Sequence, residues 1–363
     1  MERYKIGLVP GPVSVPAEIR HAWEIDYASS DLEGEFFELY HTNQTLIQKL
    51  LHTRNKIVIT TGEAMSILWA ALKCTLKPGE KILAVSSGLF GSGFADMARA
   101  FGAEAEVCEF PYDEIPNAQK VYDHAKKFSP KVITAVHCET PSGTLTTNLA
   151  EIGTIAHELG ALFVVDFVSS VGGVDLDVDA CNIDIGLLGS QKALSLTPSL
   201  SISSISSRAW EIIKNVNYSG YEAYKDWENV PENHYMPYTH DWQSMKALNI
   251  SLTRIMNETP EKVYTRHSEA AKLCRYMGQE IGLKLFPKCE EFCSPTVTAF
   301  YVPEKFTWKE LNNALRERGL AVGGNYGVLA GKVFRIGHMG SQADSQLVKT
   351  GMNIIREVIK ERA

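Results

Sequence analysis

The chain predicts an α/β fold, in which a large domain on a mainly parallel seven-stranded sheet flanked by helices is followed by a smaller α+β C-terminal domain. Three observations carry this expectation. Seven short apolar or β-branched runs, KIVITTG, EKILAVSSG, AEVCEF, KVITAVHCE, ALFVVDFVSS, DIGLLGS and SISSISS, are each bounded by turn residues. Stretches of helical period such as NLAEIGTIAHELG lie between several of them, the pattern of parallel strands joined by crossover helices. At 363 residues the chain is longer than one compact unit ordinarily needs, so two domains are expected.

In order, residues 1–15 form an N-terminal segment, 16–250 the large domain and 251–363 the small one. A helix after KIVITTG is expected through Leu76, and another after EKILAVSSG through Phe101. Beyond about residue 215 the chain turns aromatic and polar in NVNYSGYEAYKDWENVPENHYMPYTHDW, which reads as an irregular segment that covers a site or crosses to another subunit. A helix is then expected from about Ser244 to Thr259, resuming after Pro260. The remainder alternates strand and helix through TVTAFYVP, TWKELNNALRERG, VFRIGHMG and a last helix from Gln346. There is no internal repeat and no low-complexity tract.

A net charge of −7 and a pI near 5.9 leave no excess of cations to grip phosphodiesters, so nucleic acid is not an expected partner. Seven scattered cysteines suit neither a disulfide framework nor a zinc knuckle, and are expected as free thiols in a reducing compartment. MERYKIGLVPGPVSVP has no basic stretch leading into an apolar one, no apolar run approaches about 18 residues, and IKERA matches no peroxisomal tripeptide. A cytoplasmic protein with no membrane and no metal is the expectation.

In such a sheet a ligand lies at the carboxyl ends of the strands. ALFVVDFVSS places Asp166 at the end of one strand, and GLLGSQKAL places Lys192 just after the next. Singly, each is ordinarily a polar residue meeting solvent. Together they are what pyridoxal chemistry needs, an amine to hold the aldehyde and a carboxylate to keep the pyridine nitrogen protonated. SSGLFGSGF sets Phe90 at a strand–helix turn, where its face could lie against an aromatic ring. TTGEAM, with Gly62, Glu63 and Ala64, has the same setting, and helix N-terminal amides favour anions. HCETPSG ends another strand and offers the Thr140 hydroxyl to the ring oxygen. Arg335 in GKVFRIGHMG lies between two apolar neighbours, a position from which a guanidinium fork could grip a substrate carboxylate. A nicotinamide enzyme would carry GxGxxG in the first strand–turn–helix, and TTGEAM does not.

Through PGPVSVP, TGEAM, SSGLFG, HCETPSGT, VVDFVSSVGG, GSQKAL and FRIGHMG, in that order, the chain resembles over nearly its full length the class V aminotransferases of fold type I, in the alanine–glyoxylate and serine–pyruvate group. Within the group it most resembles the pyridoxamine–pyruvate aminotransferases, through SGLFGSGF, FPYDE, ETPSGT, DWENV with MPYT, and CSPTVTA. The resemblance implies a pyridoxal 5'-phosphate cofactor in Schiff-base linkage to Lys192, which shuttles the proton between Cα and C4′. It implies Asp166 on the pyridine nitrogen, Phe90 on one ring face and Val168 on the other. Gly62, Glu63, Ala64, Ser190 and Gln191 fall on its phosphate side, Thr140 beside the ring, and Thr239 at a position lent across a homodimer interface. Gly11 and Arg335 fall on the substrate side, with a small 2-oxo acid such as pyruvate or glyoxylate as acceptor of the amino group from a small-molecule donor. A desulfurase is disfavoured, because Gln191 stands where those enzymes place a histidine before the lysine.

Glu63 departs from much of the group. A carboxylate about 4 Å from a phosphate is repelled by roughly 4 kcal/mol per unit charge pair at an effective dielectric of about 20. The pyridoxamine–pyruvate enzymes resemble this chain here too, and imply an alternative in which pyridoxamine or pyridoxal is an unphosphorylated substrate with no separate cofactor. Against that, GSQK keeps the phosphate-type sequence before the lysine.

Overall fold

The computed structural model describes residues 4–362. Residues 1–3 of the expected N-terminal segment and the closing Ala363 of IKERA lie outside the described residues. The seven runs are seven strands: β1 (Lys56–Thr61), β2 (Lys81–Ser86), β3 (Glu104–Glu109), β4 (Val132–Val136), β5 (Leu162–Asp166), β6 (Ile185–Gly189) and β7 (Leu200–Ile205). They form one sheet in the spatial order β1-β7-β6-β5-β4-β2-β3. Strands β2 to β6 run parallel, while β7 is antiparallel to both β6 and β1. The reversal follows from the connection, because no helix separates β6 from β7 and a strand returning without a crossover can only pair antiparallel.

Strands β4, β5 and β6 are buried along their whole length, which explains why their sequences are continuous apolar runs rather than alternating ones. Fully buried side chains such as Phe163, Phe94 and Ile133 each contribute about 1.5–3 kcal/mol. The covering helices are α1 (Gly34–Leu50), α2 (Met65–Thr75), α3 (Leu89–Ala100), α4 (Ala118–Phe128), α5 (Leu149–Glu158) and α6 (Ser207–Val216), with α4 packed on α5 and α2 on α6. The irregular segment after residue 215 holds only a short turn at Tyr224–Trp227 and one helical turn at Val230–Asn233. It buries Tyr224 and Trp227 but leaves Tyr221 and Tyr235 exposed.

Helix α7 (Trp242–Glu258) starts where Asp241 accepts a hydrogen bond from the Ser244 amide, and packs Met245, Leu248 and Leu252 into the main core. Helix α8 (Pro260–Glu280) opens on its proline and runs from Val263 in that core to Ala270, Cys274 and Met277 in a second one. The second core surrounds an antiparallel pair, β8 (Val297–Tyr301) and β9 (Val333–Gly337), with α9 (Trp308–Glu317) and α10 (Ser345–Lys360). Near the start of the chain, Ile6–Gly7 pairs parallel with Leu320–Ala321, and Leu8 is buried in this second core. The chain then crosses at Pro10–Val13 to the carboxyl edge of the sheet, where the Val13 amide donates to Gln191 O at 3.1 Å. Among the described residues no helix is long and apolar enough to cross a membrane.

Candidate active site

The carboxyl ends of β1, β2, β4, β5 and β6 meet at one edge, and the turns that follow them enclose a cavity of about 350 Å³. Its walls include Gly11, Glu63, Ala64, Phe90, Thr140, Asp166, Val168, Gln191 and Lys192, nine of the expected site residues, joined by Pro12, Met65, Leu68, Ser169 and Pro198. A larger cleft of about 670 Å³ lies between the N-terminal segment and α7, α8 and α10, but it holds neither Lys192 nor Asp166. Chemistry, not size, marks the site.

Asp166 ends β5, its backbone in register with Val136 and Leu187. Its Oδ1 accepts the Val168 amide at 2.8 Å, which turns the carboxylate toward the cavity. Burial pushes its pKa up to about 6, against the pull of that amide and of the Lys192 charge, while the Glu63 charge adds to the rise. Lys192 follows β6 in the helix-free connection, its Nζ donating to Pro10 O at 2.7 Å. Burial, and then the Arg335 charge, bring its pKa down to about 8. Gly11 adopts φ +101, and a Cβ there would stand 2.6 Å from Lys192 Cδ, so the N-terminal crossing passes the lysine only as glycine.

Arg335 is 4% exposed on β9. Its Nε donates to Gly324 O at 2.8 Å, its Nη1 approaches Thr140 O at 3.5 Å, and the Tyr326 ring lies 5.1 Å from the guanidinium carbon. Strand β9 thus holds a buried cation whose charge adds to the lowering of the lysine. The Thr140 and Ser169 hydroxyls are 2.5 Å apart on the cavity wall.

Four expected residues do not line the cavity: Arg335 lies behind the wall with its Nη1 on Thr140 O, and Ser190, Gly62 and Thr239 stand elsewhere. Ser190 is buried beneath it, donating to Thr197 O at 2.6 Å and accepting from the Leu200 amide at 3.1 Å, so it secures the lysine-bearing loop. Gly62 has φ +144 and donates its amide to Ser199 O, shaping the turn rather than lining the space. Thr239 is exposed beside a separate small cleft with Thr60, Ser66, Tyr221 and Tyr238. Sequence reasoning passed over Glu139, buried behind Phe90 with its pKa pushed up to about 7 by burial, against its amide bonds. The signal was present: α3 begins at Gly88 with no side-chain cap of its own, so its first amides need an acceptor from elsewhere.

The residues fit pyridoxal at the ring end, where an amine, a carboxylate, an aromatic face and a paired hydroxyl converge. At the turn the fit to a phosphate is poorer. Glu63 Oε2 already accepts the Met65 amide at 2.9 Å, and Glu63 Oε1 accepts Gln191 Nε2 at 2.7 Å, so the first donors of α2 and of the loop meet a carboxylate.

A mainly parallel seven-stranded sheet with a lysine after one strand and an aspartate ending its neighbour defines a fold type I aminotransferase. The chain belongs to the class V aminotransferase family, whose description, Aminotransferase class-V, matches residues 21–329, and it is a transaminase of this generally pyridoxal-phosphate-dependent class. It is 32% identical to the pyridoxamine–pyruvate transaminase of Mesorhizobium japonicum, over 93% of this chain and 87% of that protein. It is also 32% identical to the L-aspartate–glyoxylate aminotransferase of Paracoccus denitrificans, again over 93% and 87%. The crystal structure of pyridoxamine–pyruvate aminotransferase from Mesorhizobium loti superposes with a TM-score of 0.93 at 30% identity, over 98% of this chain and 93% of that one.

Proposed function

We propose that the chain transfers an amino group from a small-molecule donor to a small 2-oxo acid, pyruvate or glyoxylate, with pyridoxal phosphate carried on Lys192. The observation that carries the reading is a lysine brought down to about 8 and a buried aspartate on one cavity wall, with a buried arginine behind that wall on the carbonyl of Thr140. When bound, the cofactor supplies an aldehyde that takes up the donor's amine and a ring that draws electrons from Cα. Lys192, partly neutral near pH 8, accepts the proton from Cα and returns it at C4′. Asp166 keeps the ring nitrogen protonated, and a cation at that place offsets the cost of burying the carboxylate. Phe90 and Val168 hold the ring between them, and Thr140 with Ser169 faces its oxygen. Arg335 holds the carboxylate of donor and acceptor in turn, and its single clear fork suits a monocarboxylic acceptor.

The Glu63 hydrogen bonds favour a second reading, in which free pyridoxamine is the donor, pyruvate the acceptor, and Glu63 faces the hydroxymethyl group with no separate cofactor. The two readings separate on dialysis. Under the first, the visible band of the purified protein survives dialysis and is restored by pyridoxal phosphate alone; under the second, the protein is colourless and takes up pyridoxal. Uptake of neither contradicts both.

We further propose a homodimer that shares its active sites. Exposed Tyr221 and Tyr238, whose ring centroids lie 4.5 Å apart beside Thr239, support this reading, since such a cluster of large aromatics suits burial against a second chain. The division expected at residue 250 falls inside α7, whose Leu252 still packs in the main core, so we propose that the large unit extends into α8 and gives way to the small one between Val263 and Ala270. A cytoplasmic location completes the proposal, supported by seven free cysteines.

A further inference from the structure

Helix α3 opens on Gly88, which offers no side-chain acceptor to its first turn. The free amides of Phe90 and Gly91 donate instead to Glu139, at 3.2 Å to Oε2 and 2.7 Å to Oε1. Glu139 belongs to another element, the two-residue strand Cys138–Glu139 paired with Thr144–Leu145, and is 1% exposed. A carboxylate buried that deeply is costly unless its oxygens are engaged by donors. Two amides at the positive end of a twelve-residue helix meet that need.

The neighbouring glycine fits the same arrangement. Gly88 has an extended backbone that any residue adopts, so its lack of a side chain is a matter of room: a Cβ there would collide with the Glu139 carboxyl carbon. Glu139 also has both of its chain neighbourhoods tied down, because its carbonyl accepts the Gly143 amide at 2.8 Å and Thr140 follows it directly onto the cavity wall. One side chain therefore links the helix start that carries Phe90 to the turn that carries Thr140.

We propose that Glu139 is a positioning residue that fixes the Phe90 ring against the cavity, so that an aromatic ligand is flanked in one orientation. The proposal rests on the reading of Phe90 as the residue lying against the pyridoxal ring. Glu139 itself does not line the cavity and acts through the helix start.

The test titrates full-length apo-protein with pyridoxal phosphate and with pyridoxal, reading the dissociation constant and the circular dichroism of the visible band, with thermal melting as the control for folding. Phe90→Ala is expected to weaken binding of the retained form about tenfold and to change the dichroism. Glu139→Ala is expected to do the same, and Glu139→Gln, which keeps one acceptor oxygen, to lose about threefold. The double variant Phe90→Ala/Glu139→Ala should bind no more weakly than Phe90→Ala alone, because Glu139 has nothing left to position. Gly88→Ala, which displaces the carboxylate while leaving it in the chain, should reproduce the dichroism change and serves where Glu139→Ala does not fold. A silent Phe90→Ala overturns the reading of Phe90 and this proposal with it. If Phe90→Ala acts while Glu139→Ala or Gly88→Ala leaves binding and dichroism unchanged, or if the Phe90 and Glu139 losses multiply in the double variant, the positioning role alone is overturned.

Discussion

At the floor of the cavity, Asp166 and Lys192 are desolvated with few partners, whereas at the Gly62–Ala64 turn Glu63 has both carboxylate oxygens engaged, by the Met65 amide and by Gln191. The floor groups are both displaced toward neutrality, to about 6 and about 8. They gain from a ligand that brings a cation to one and an aldehyde to the other. The turn gains nothing from a second anion, since its donors are already answered. The difference teaches that one wall of a cavity can be left short of partners while the neighbouring turn satisfies its own donors, which is what separates the two proposed readings of the site.

The sharpest break of that contrast is at the floor. Lys192→Ala should abolish the visible band and lower kcat by at least about 10³-fold, whereas no substitution at the turn should do so. Asp166→Asn should lower kcat about 10²-fold and carries a second signature in the apo-protein. The folded pKa of Asp166, about 6, lies above its ordinary 3.8, so its contribution to stability is present below pH 3.8 and lost as the pH rises through 6. Apo Asp166→Asn is therefore expected to be more stable than the unsubstituted chain at pH 8, on the order of 1–3 kcal/mol, with the gap closing near pH 4 in thermal melts.

Arg335→Lys tests whether β9 serves the substrate rather than the ring: KM for the 2-oxo acid should rise about 10²-fold in steady-state assays while the visible band persists. At the turn, Glu63→Gln should shift the ratio of affinities toward pyridoxal phosphate over pyridoxal by about tenfold in the same absorbance titration. The smallest effect is expected at Ser190→Ala, which should retain activity and lose about 1 kcal/mol in denaturant unfolding, because its hydroxyl bridges Thr197 and Leu200 rather than a ligand.

The central strands were legible because burial on both faces writes itself as continuous apolar runs, and Asp166 and Lys192 were legible because one ends such a run and the other closely follows the next. The ends of the helices at Thr75 and Ala100 fell within one residue of the expected Leu76 and Phe101, because Pro78–Gly79 and Gly102 stop the helical period there. The direction of β7 was not legible, since the period of SISSISS is the same whether a strand runs parallel or antiparallel, and only the absence of a helix after Gly189 decides it. Ser190 was read as facing the phosphate from its place before the lysine, yet its rotamer answers to the loop carbonyl of Thr197. Glu139 was overlooked because its partners, the amides of Phe90 and Gly91, are almost fifty residues away in sequence and meet it only through the sheet. The pairing of Ile6–Gly7 with Leu320–Ala321 is a contact across nearly the whole chain that, unlike the uncapped start of α3, no local pattern announces.

Borohydride reduction of the protein loaded with pyridoxal phosphate or pyridoxal, followed by peptide mass mapping, tests the central claim most directly. The account predicts one pyridoxyl adduct, on the peptide containing Lys192, with the mass of the adduct reporting whether the phosphate was present. An adduct on another lysine, or none in protein that still transaminates, would contradict the assignment of Lys192 as the amine at the centre of the site.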